Sequence, residues 1–235
     1  MTERFLIVAA LLAGGVVGGC DRRGDDAAPA AAVAREPVFT TGGVSPVDPM
    51  GNVLPAQRLT RWQRGCLLPR PQPRDPLTIP AGVRLLSVGR PVRLSDPEPI
   101  LGDGPMVTDG QREASDGDWI EMGPGLQWAQ VDLGRAVEIE AVVVWHTYVE
   151  PRVYRAVIVE ASDDPEFRAG VVTLFNNDWD NSARRGLGAD AEYVEAVQGK
   201  HVDGRRTRAR YVRCYSRGNT ADAYNHVTEV EVWGK

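Results

Sequence analysis

Residues 126–146 read LQWAQVDLGRAVEIEAVVVWH. Side chains alternate along the first part: Ala129, Val131 and Leu133 on one side, Trp128, Gln130 and Asp132 on the other. After Gly134 the alternation resumes with Val137, Ile139, Ala141, Val143 and Trp145 on one face. The opposite face starts polar, at Glu138 and Glu140, and turns apolar, at Val142 and Val144. A period of two is the signature of a β-strand, and a polar face that becomes apolar marks a strand running from a half-exposed edge into a packed interior. The pattern predicts two strands broken by a turn at Gly134, in one layer of a β-sandwich.

The same texture continues through the C-terminal part of the chain. Short apolar runs separated by Gly, Pro, Asp and Asn predict strands at 83–88, 128–133, 137–145, 156–161, 171–175, 210–215 and 227–233. There is no extended amphipathic helix and no internal repeat. Many short strands with turn signals between them indicate an all-β sandwich or barrel. Three long polar stretches, 101–125, 176–191 and 198–206, read as loops, and loops of that length in a compact domain are where binding usually resides.

The 235 residues allow one good-sized domain with extensions. Net charge is −5, and of 27 basic residues only Lys200 and Lys235 are lysine. An acidic chain without a dominant basic face argues against nucleic acid as the main partner. The run Arg205, Arg206, Arg208, Arg210 and Arg213 reads as a solvated strand face paired with acids such as Asp203 and Glu229, the alternative being an anionic glycan or lipid head group.

At the N-terminus, Arg4 precedes the apolar run 5–17, too short to span a bilayer as a helix and fitting a signal-peptide core. The following V-G-G-C resembles a bacterial lipobox, which implies cleavage after residue 19 and lipidation of Cys20. Ordinary secretory cleavage or an uncleaved anchor are the alternatives. The resemblance implies an exported chain, lipid-anchored at a bacterial cell envelope. Residues 20–35 are Ala-rich and read as a tether. Residues 36–80 hold nine of the seventeen prolines and cannot supply a central strand or a helix interior. They read as a linker or as a surface arm anchored by Trp62 and Cys66. The folded domain is residues 81–235. Cys214 shares alternation phase with Val212 and reads as a buried free thiol; a Cys66–Cys214 disulfide is the alternative.

Six segments in order carry a resemblance: VTDG at 107–110, LQWAQVDLG at 126–134, IEAVVVW at 139–145, VIVEASDD at 157–164, ARYVRCYS at 209–216 and TEVEVWG at 228–234. Together they resemble the discoidin (coagulation factor 5/8 type C) family of galactose-binding-like jelly rolls, over residues 81–235. The resemblance implies a jelly-roll β-sandwich of about eight main strands, with first and last strands close together and ligand loops at one end. Many family members hold a structural Ca²⁺ near the Asp-Gly loop and the final strand. The matching positions here are Asp109, the Gln111 carbonyl, Ser115 (or Glu113) and Glu229, hard oxygen ligands that suit Ca²⁺. The chain departs from the family pattern after Asp-Gly, where Ala114-Ser115-Asp116-Gly117 stands in place of the usual Thr and Trp. The competing reading is an Asp-Gly turn without metal.

For ligand binding, Trp179 in NNDWDNS (176–182) offers an aromatic plane beside amides and carboxylates, which suits a sugar ring with its apolar face and polar rim. Asn181 belongs to the same cluster. By alternation Trp145 falls on the core face and His146 just beyond it, where with Arg152 it could meet sugar hydroxyls. Tyr224 and Asn225 could close the same site. The alternatives are a packed Trp179, a His146 satisfied by backbone, and a loop 224–226 that only caps the last strand. No hydrolase or phosphate-loop motif is present, and the three histidines lack metal-ligand spacing. The expectation is a membrane-tethered, non-catalytic module binding glycan at the cell envelope; the alternative is a protein–protein adaptor or envelope scaffold.

Overall fold

The computed structural model describes residues 78–114 and 117–235. Cys20, Trp62, Cys66 and Ser115 lie outside them, as do the expected signal peptide and tether and almost all of the Pro-rich segment. The described chain is all-β apart from one 3-10 helix, Gly104–Thr108. Its strands are β1 (Arg84–Leu85), β2 (Val92–Leu94), β3 (Ile120–Met122), β4 (Gln127–Trp145), β5 (Ile158–Ser162), β6 (Val172–Asn176), β7 (Lys200–Ser216), β8 (Asn225–Val227) and β9 (Glu229–Gly234).

One antiparallel sheet runs β1-β9-β4-β7-β5-β6, with β2 on the free edge of β4, and a small second sheet pairs β3 with β8. β4 and β7 are paired along nearly their whole length and belong to both halves of a folded sheet. One half holds β9 beside residues 139–145 of β4; the other holds β2 beside residues 129–131 and β5 beside residues 211–215 of β7. Core residues from the two halves pack on one another: Ile139, Val142, Val202 and Val230 from one, Val131, Val159, Leu174 and Val212 from the other. This is the expected sandwich, built from a sheet folded over on itself.

Two expectations along β4 are corrected, both by bulges. Gly134 is not a turn between strands. Its φ of +82° places it in a bulge where residues 133–136 oppose Arg210 alone, and the strand continues. Further on, Glu140 has no counterpart on β9: Ile139 pairs with Gly234 and Ala141 with Trp233. One extra residue reverses the side-chain phase. Val137 and Ile139 are core residues, then Val142 and Val144, while Val143 and Trp145 face outward from the core.

On β7, Gly204, Arg205 and Arg206 form a matching bulge opposite Glu140, with φ of 51° and 55° at the two arginines. Residues 200–206 were expected as loop. They are strand, because Val202 supplies the one core side chain and the backbone ladder to β4 supplies the rest.

The arginine run divides along the strand. Arg210 grips Asp132 through two bonds of 2.8 Å, and Arg206 approaches Glu140 at 3.6 Å. Glu229 takes no part, so the local acids differ from those expected. Arg213 is buried: its guanidinium lies 4.1 Å from the ring centroids of both Trp128 and Phe167 and donates to Gln130 Oε1 and to the Pro165 carbonyl. Cys214 is a free, buried thiol, whose pKa burial pushes up to about 12.

Candidate functional site

The loop after β6 is built by short polar side chains bonding to their own backbone, an arrangement Asn, Asp and Ser favour. Asn176 Oδ1 accepts from the Asp178 amide, Asp178 accepts from the amides of Ser182 and Ala183 and from the Ser182 hydroxyl, and Asn181 Oδ1 accepts from the Gly186 amide. The oxygens that imitate the start of a calcium loop are thus spent on the loop itself. Burial, with Asp180 beside it, raises the Asp178 carboxyl above the usual range.

This scaffold sets the half-buried Trp179 at the edge of an open pocket of about 330 Å³. Arg155, Glu192 and Arg217 line the same pocket, with Arg155 bonded to Glu192 at 2.6 Å. The pocket therefore joins an indole to both hydrogen-bond donors and acceptors. Ala156 on its floor has a φ of +47°, a conformation rare for a residue with a Cβ.

Segment 152–155 continues away from the pocket, paired to 217–220 through the bonds of Arg155, Arg217 and Thr220. Arg152 donates to Asp222 at 3.0 Å. Tyr224 is exposed on the same 217–224 loop, and Asn181, also exposed, holds the Trp179 loop in shape.

Two expected ligand residues are interior. His146 is 1% exposed: the phase change at Glu140 that carries Trp145 outward carries His146 inward. Its ring stacks on Tyr154 with centroids 4.3 Å apart, and Nδ1 meets Glu195 Oε1 at 2.6 Å. Asn225 is fully buried and works as a staple: its amide donates to the carbonyls of Gly123 and Gly125, and its oxygen accepts from the Ser216 hydroxyl and the Gly218 amide. Beside it a relay runs from Tyr154 OH to His226 Nδ1 at 2.8 Å, and from His226 Nε2 to Glu121 at 3.3 Å. Burial lowers the His226 pKa, partly offset by Asp222 and Glu121. Arg155, Glu192 and Arg217 were missed in the sequence, since nothing in their local pattern marks three separated charges as pocket neighbours.

Of the positions matched to a metal site, Asp109, Gln111 and Glu229 lie around one turn, and Ser115 lies outside the described residues. Asp109 closes the 3-10 helix, and its Oδ1 accepts from the Gln111 amide at 2.7 Å in an Asx turn. The same turn points the Gly110 amide at Glu229 Oε2, 3.3 Å away. Glu229 is fully buried, and its Oε1 has no hydrogen-bond partner among the described residues. Burial, then the charges of Asp109 and Glu231, raise its pKa to about 8, against the Gly110 amide and Arg112. A buried carboxylate with an unmatched oxygen beside a second carboxylate fits a hard cation. Among the described residues there is no group of three or more His, Cys, Asp and Glu side chains that could hold a metal, so backbone carbonyls such as that of Gln111 would have to complete the shell.

No family model matches the sequence, and no curated protein matches it. Among solved structures the chain is similar to chitosan-binding module 1 of a chitosanase/glucanase from Paenibacillus sp. IK-5, with a TM-score of 0.46 and 17% identity over 64% of this chain and 99% of that one. It is similar to the fucose binding module SpX-3 of Streptococcus pneumoniae, with a TM-score of 0.46 and 13% identity over 63% of this chain and 96% of that one. Truncated AlyQ with CBM32 and alginate lyase domains matches with a TM-score of 0.48 and 17% identity over 65% of this chain, which spans 34% of that protein. The likeness is one of chain path.

Proposed function

We propose that the chain is a non-catalytic carbohydrate-binding module whose loop end holds a saccharide against Trp179. The observation that carries this reading is the open pocket lined by a half-buried indole together with Arg155, Glu192 and Arg217. A pyranose needs a flat apolar surface for one face and donors and acceptors for its rim, and this pocket offers both. Glu192 and Arg155 hold each other in place, so the polar rim is set before the ligand arrives.

Two further parts of the reading accompany it. Asp109, the Gln111 carbonyl and Glu229 would hold Ca²⁺, neutralising the two carboxylates and fixing the 109–112 turn onto β9. Lipidation at Cys20 would hold the module at a bacterial cell envelope, raising its effective concentration against surface glycans. Mass spectrometry of the protein made in bacteria tests the second point: a diacylglyceryl group on Cys20 is expected, and an unmodified thiol on a longer N-terminus would rule it out.

The main test is binding to an array of soluble glycans and insoluble polysaccharides with and without Ca²⁺. The wild-type protein is expected to be retained, and Trp179→Ala to lose retention while its melting temperature stays within about 2 °C of wild type, the indole being half-buried and away from the main core. An array blank in both conditions, with a protein captured instead, would favour the adaptor reading.

A further inference from the structure

The phase change at Glu140 leaves a second feature that the loop-end site does not use. Outward-facing residues of β4, β9 and β7 line up in register: Val143 lies between Glu231 and His201, with Trp145 beside Glu229 and Trp233 beside Ala141. A bare sheet face would be flat. Here Ile79, Arg112, Val197 and Gln198 join the sheet residues in lining a groove of about 430 Å³, the size of small-molecule sites.

Both indoles in the groove are locked. Trp145 Nε1 donates to the Val197 carbonyl at 2.9 Å, and a Cβ on Gly199 would fall 2.5 Å from its ring, so only glycine lets that segment close over it. The Arg112 guanidinium lies 5.2 Å from the Trp145 ring centroid. Trp233 Nε1 donates to Glu231 Oε2 at 2.8 Å. Glu231, only 2% exposed, accepts from Arg112 on its other oxygen at 2.7 Å. One buried carboxylate thus fixes the half-exposed Trp233 and the arginine that packs on Trp145.

We propose that this groove is a second ligand site, for an uncharged saccharide, with Trp233 as the stacking platform. Among the described residues, Arg112 and Glu231 are the only groups of fixed formal charge lining it, and they are paired with each other. The pair leaves no net charge among these lining groups to attract an ion, and an uncharged ligand needs none. The rim offers the Gln198 side chain and the exposed half of Arg112 to hydroxyl groups, with His201, whose Nε2 meets the Gln198 carbonyl at 3.1 Å, and the apolar Val197 beside them. An aromatic plane with polar rims and no net charge matches a neutral pyranose. The site is separate from that at Trp179 and does not depend on it.

The test uses the full chain labelled with 5-fluorotryptophan, whose six tryptophans give separate fluorine signals, assigned by Trp→Phe variants. It is titrated with cellohexaose, N-acetylchitohexaose and a proline-rich dodecapeptide. A neutral hexasaccharide is expected to move the Trp233 signal, with millimolar affinity. Trp233→Ala is expected to weaken this binding about tenfold, read at Trp145, while Trp179→Ala leaves it unchanged. Gln198→Ala, at an exposed position that cannot harm folding much, is expected to weaken it about threefold, with the remaining fluorine signals in place. A Trp233 signal unmoved by either sugar overturns the proposal, even if Trp179 responds; a response at Trp233 alone upholds it and removes the loop-end reading. Movement with the peptide and not with the sugars assigns the groove to a polypeptide and also overturns it.

Discussion

Glu229 holds the clearest single-residue consequence. Its carboxyl is raised from an ordinary value of 4.5 to about 8, chiefly by burial. The folded protein therefore binds more protons than the unfolded chain between those values, and stability falls as pH rises through this window. A cation at the same place requires the ionised form and would cancel the loss. In EDTA the melting temperature is expected to fall between pH 5 and pH 8. Added Ca²⁺ should restore it at pH 8 and do little at pH 5, and Glu229→Gln should flatten both dependences. Thermal melts at the two pH values check this; a calcium response equal at both would speak against carboxylate ligation. Arg213 is a different case, buried by what surrounds it. Held between Trp128 and Phe167 with three side-chain bonds to Gln130 and Pro165, it packs as much as it pairs. Arg213→Ala should destabilise by about 3 kcal/mol in urea unfolding, through the lost stacking and the stranded Gln130 oxygen. The arginine run in the sequence gave no sign of this. Period-2 alternation places Arg213 opposite the core face, and it is buried there between Trp128 and the Phe167 loop.

At the scale of elements, bulges decide where the chemistry falls. Alternation located β4, β5, β6 and β9 within a few residues, because in each the core face carries branched or aromatic side chains. It also assigned Ala129, Val131 and Leu133 correctly. It failed beyond Glu140, since an inserted residue leaves no mark in composition: Val142, Val143 and Val144 are apolar in either phase. Hence Trp145 was read on the core face and His146 beyond the buried stretch; Trp145 is buried on the opposite face of the sheet, under residues 197–199, and His146 is interior. β2 and β3 were not seen at all, having three residues each, too few to show a period. The opposing bulge on β7 is tightly fitted. A Cβ on Gly204 would collide with the Ile139 carbonyl, so Gly204→Ala must either shift β7 or open its pairing with β4. A cost of about 2–3 kcal/mol is expected by denaturant unfolding. Backbone amides of 200–203 should exchange with solvent faster in that variant, while those of β5 should keep their protection.

For the described part of the molecule as a whole, two kinds of surface emerge from one core. The loop end gathers Trp179, Arg155, Glu192 and Arg217 from three distant stretches of chain, and this convergence was out of reach of the sequence. Only Trp179 was marked beforehand, by its polar neighbours. The sheet-face groove was still less legible, because it exists only after β9 has been set beside β4. The six ordered segments, by contrast, foretold the sandwich well, as they are the strands and turns that pack it. They also foretold that first and last strands meet: Arg84 pairs with Gly234 and Leu85 with Trp233.

That pairing bears on how the protein carries load. The register puts Arg84 beside Gly234, while Glu229 at the other end of β9 lies beside Trp145, next to the loops that reach the Trp179 pocket. β1 thus pairs with β9 one strand length, ~20 Å, away from that end. Tension between the lead-in and a ligand held at the loops would run along the strands of β1, β9 and β4. The ladder bonds would then be sheared together, with none peeled open ahead of the next. The sheet would resist such a pull as a whole, although its first strand is only two residues long.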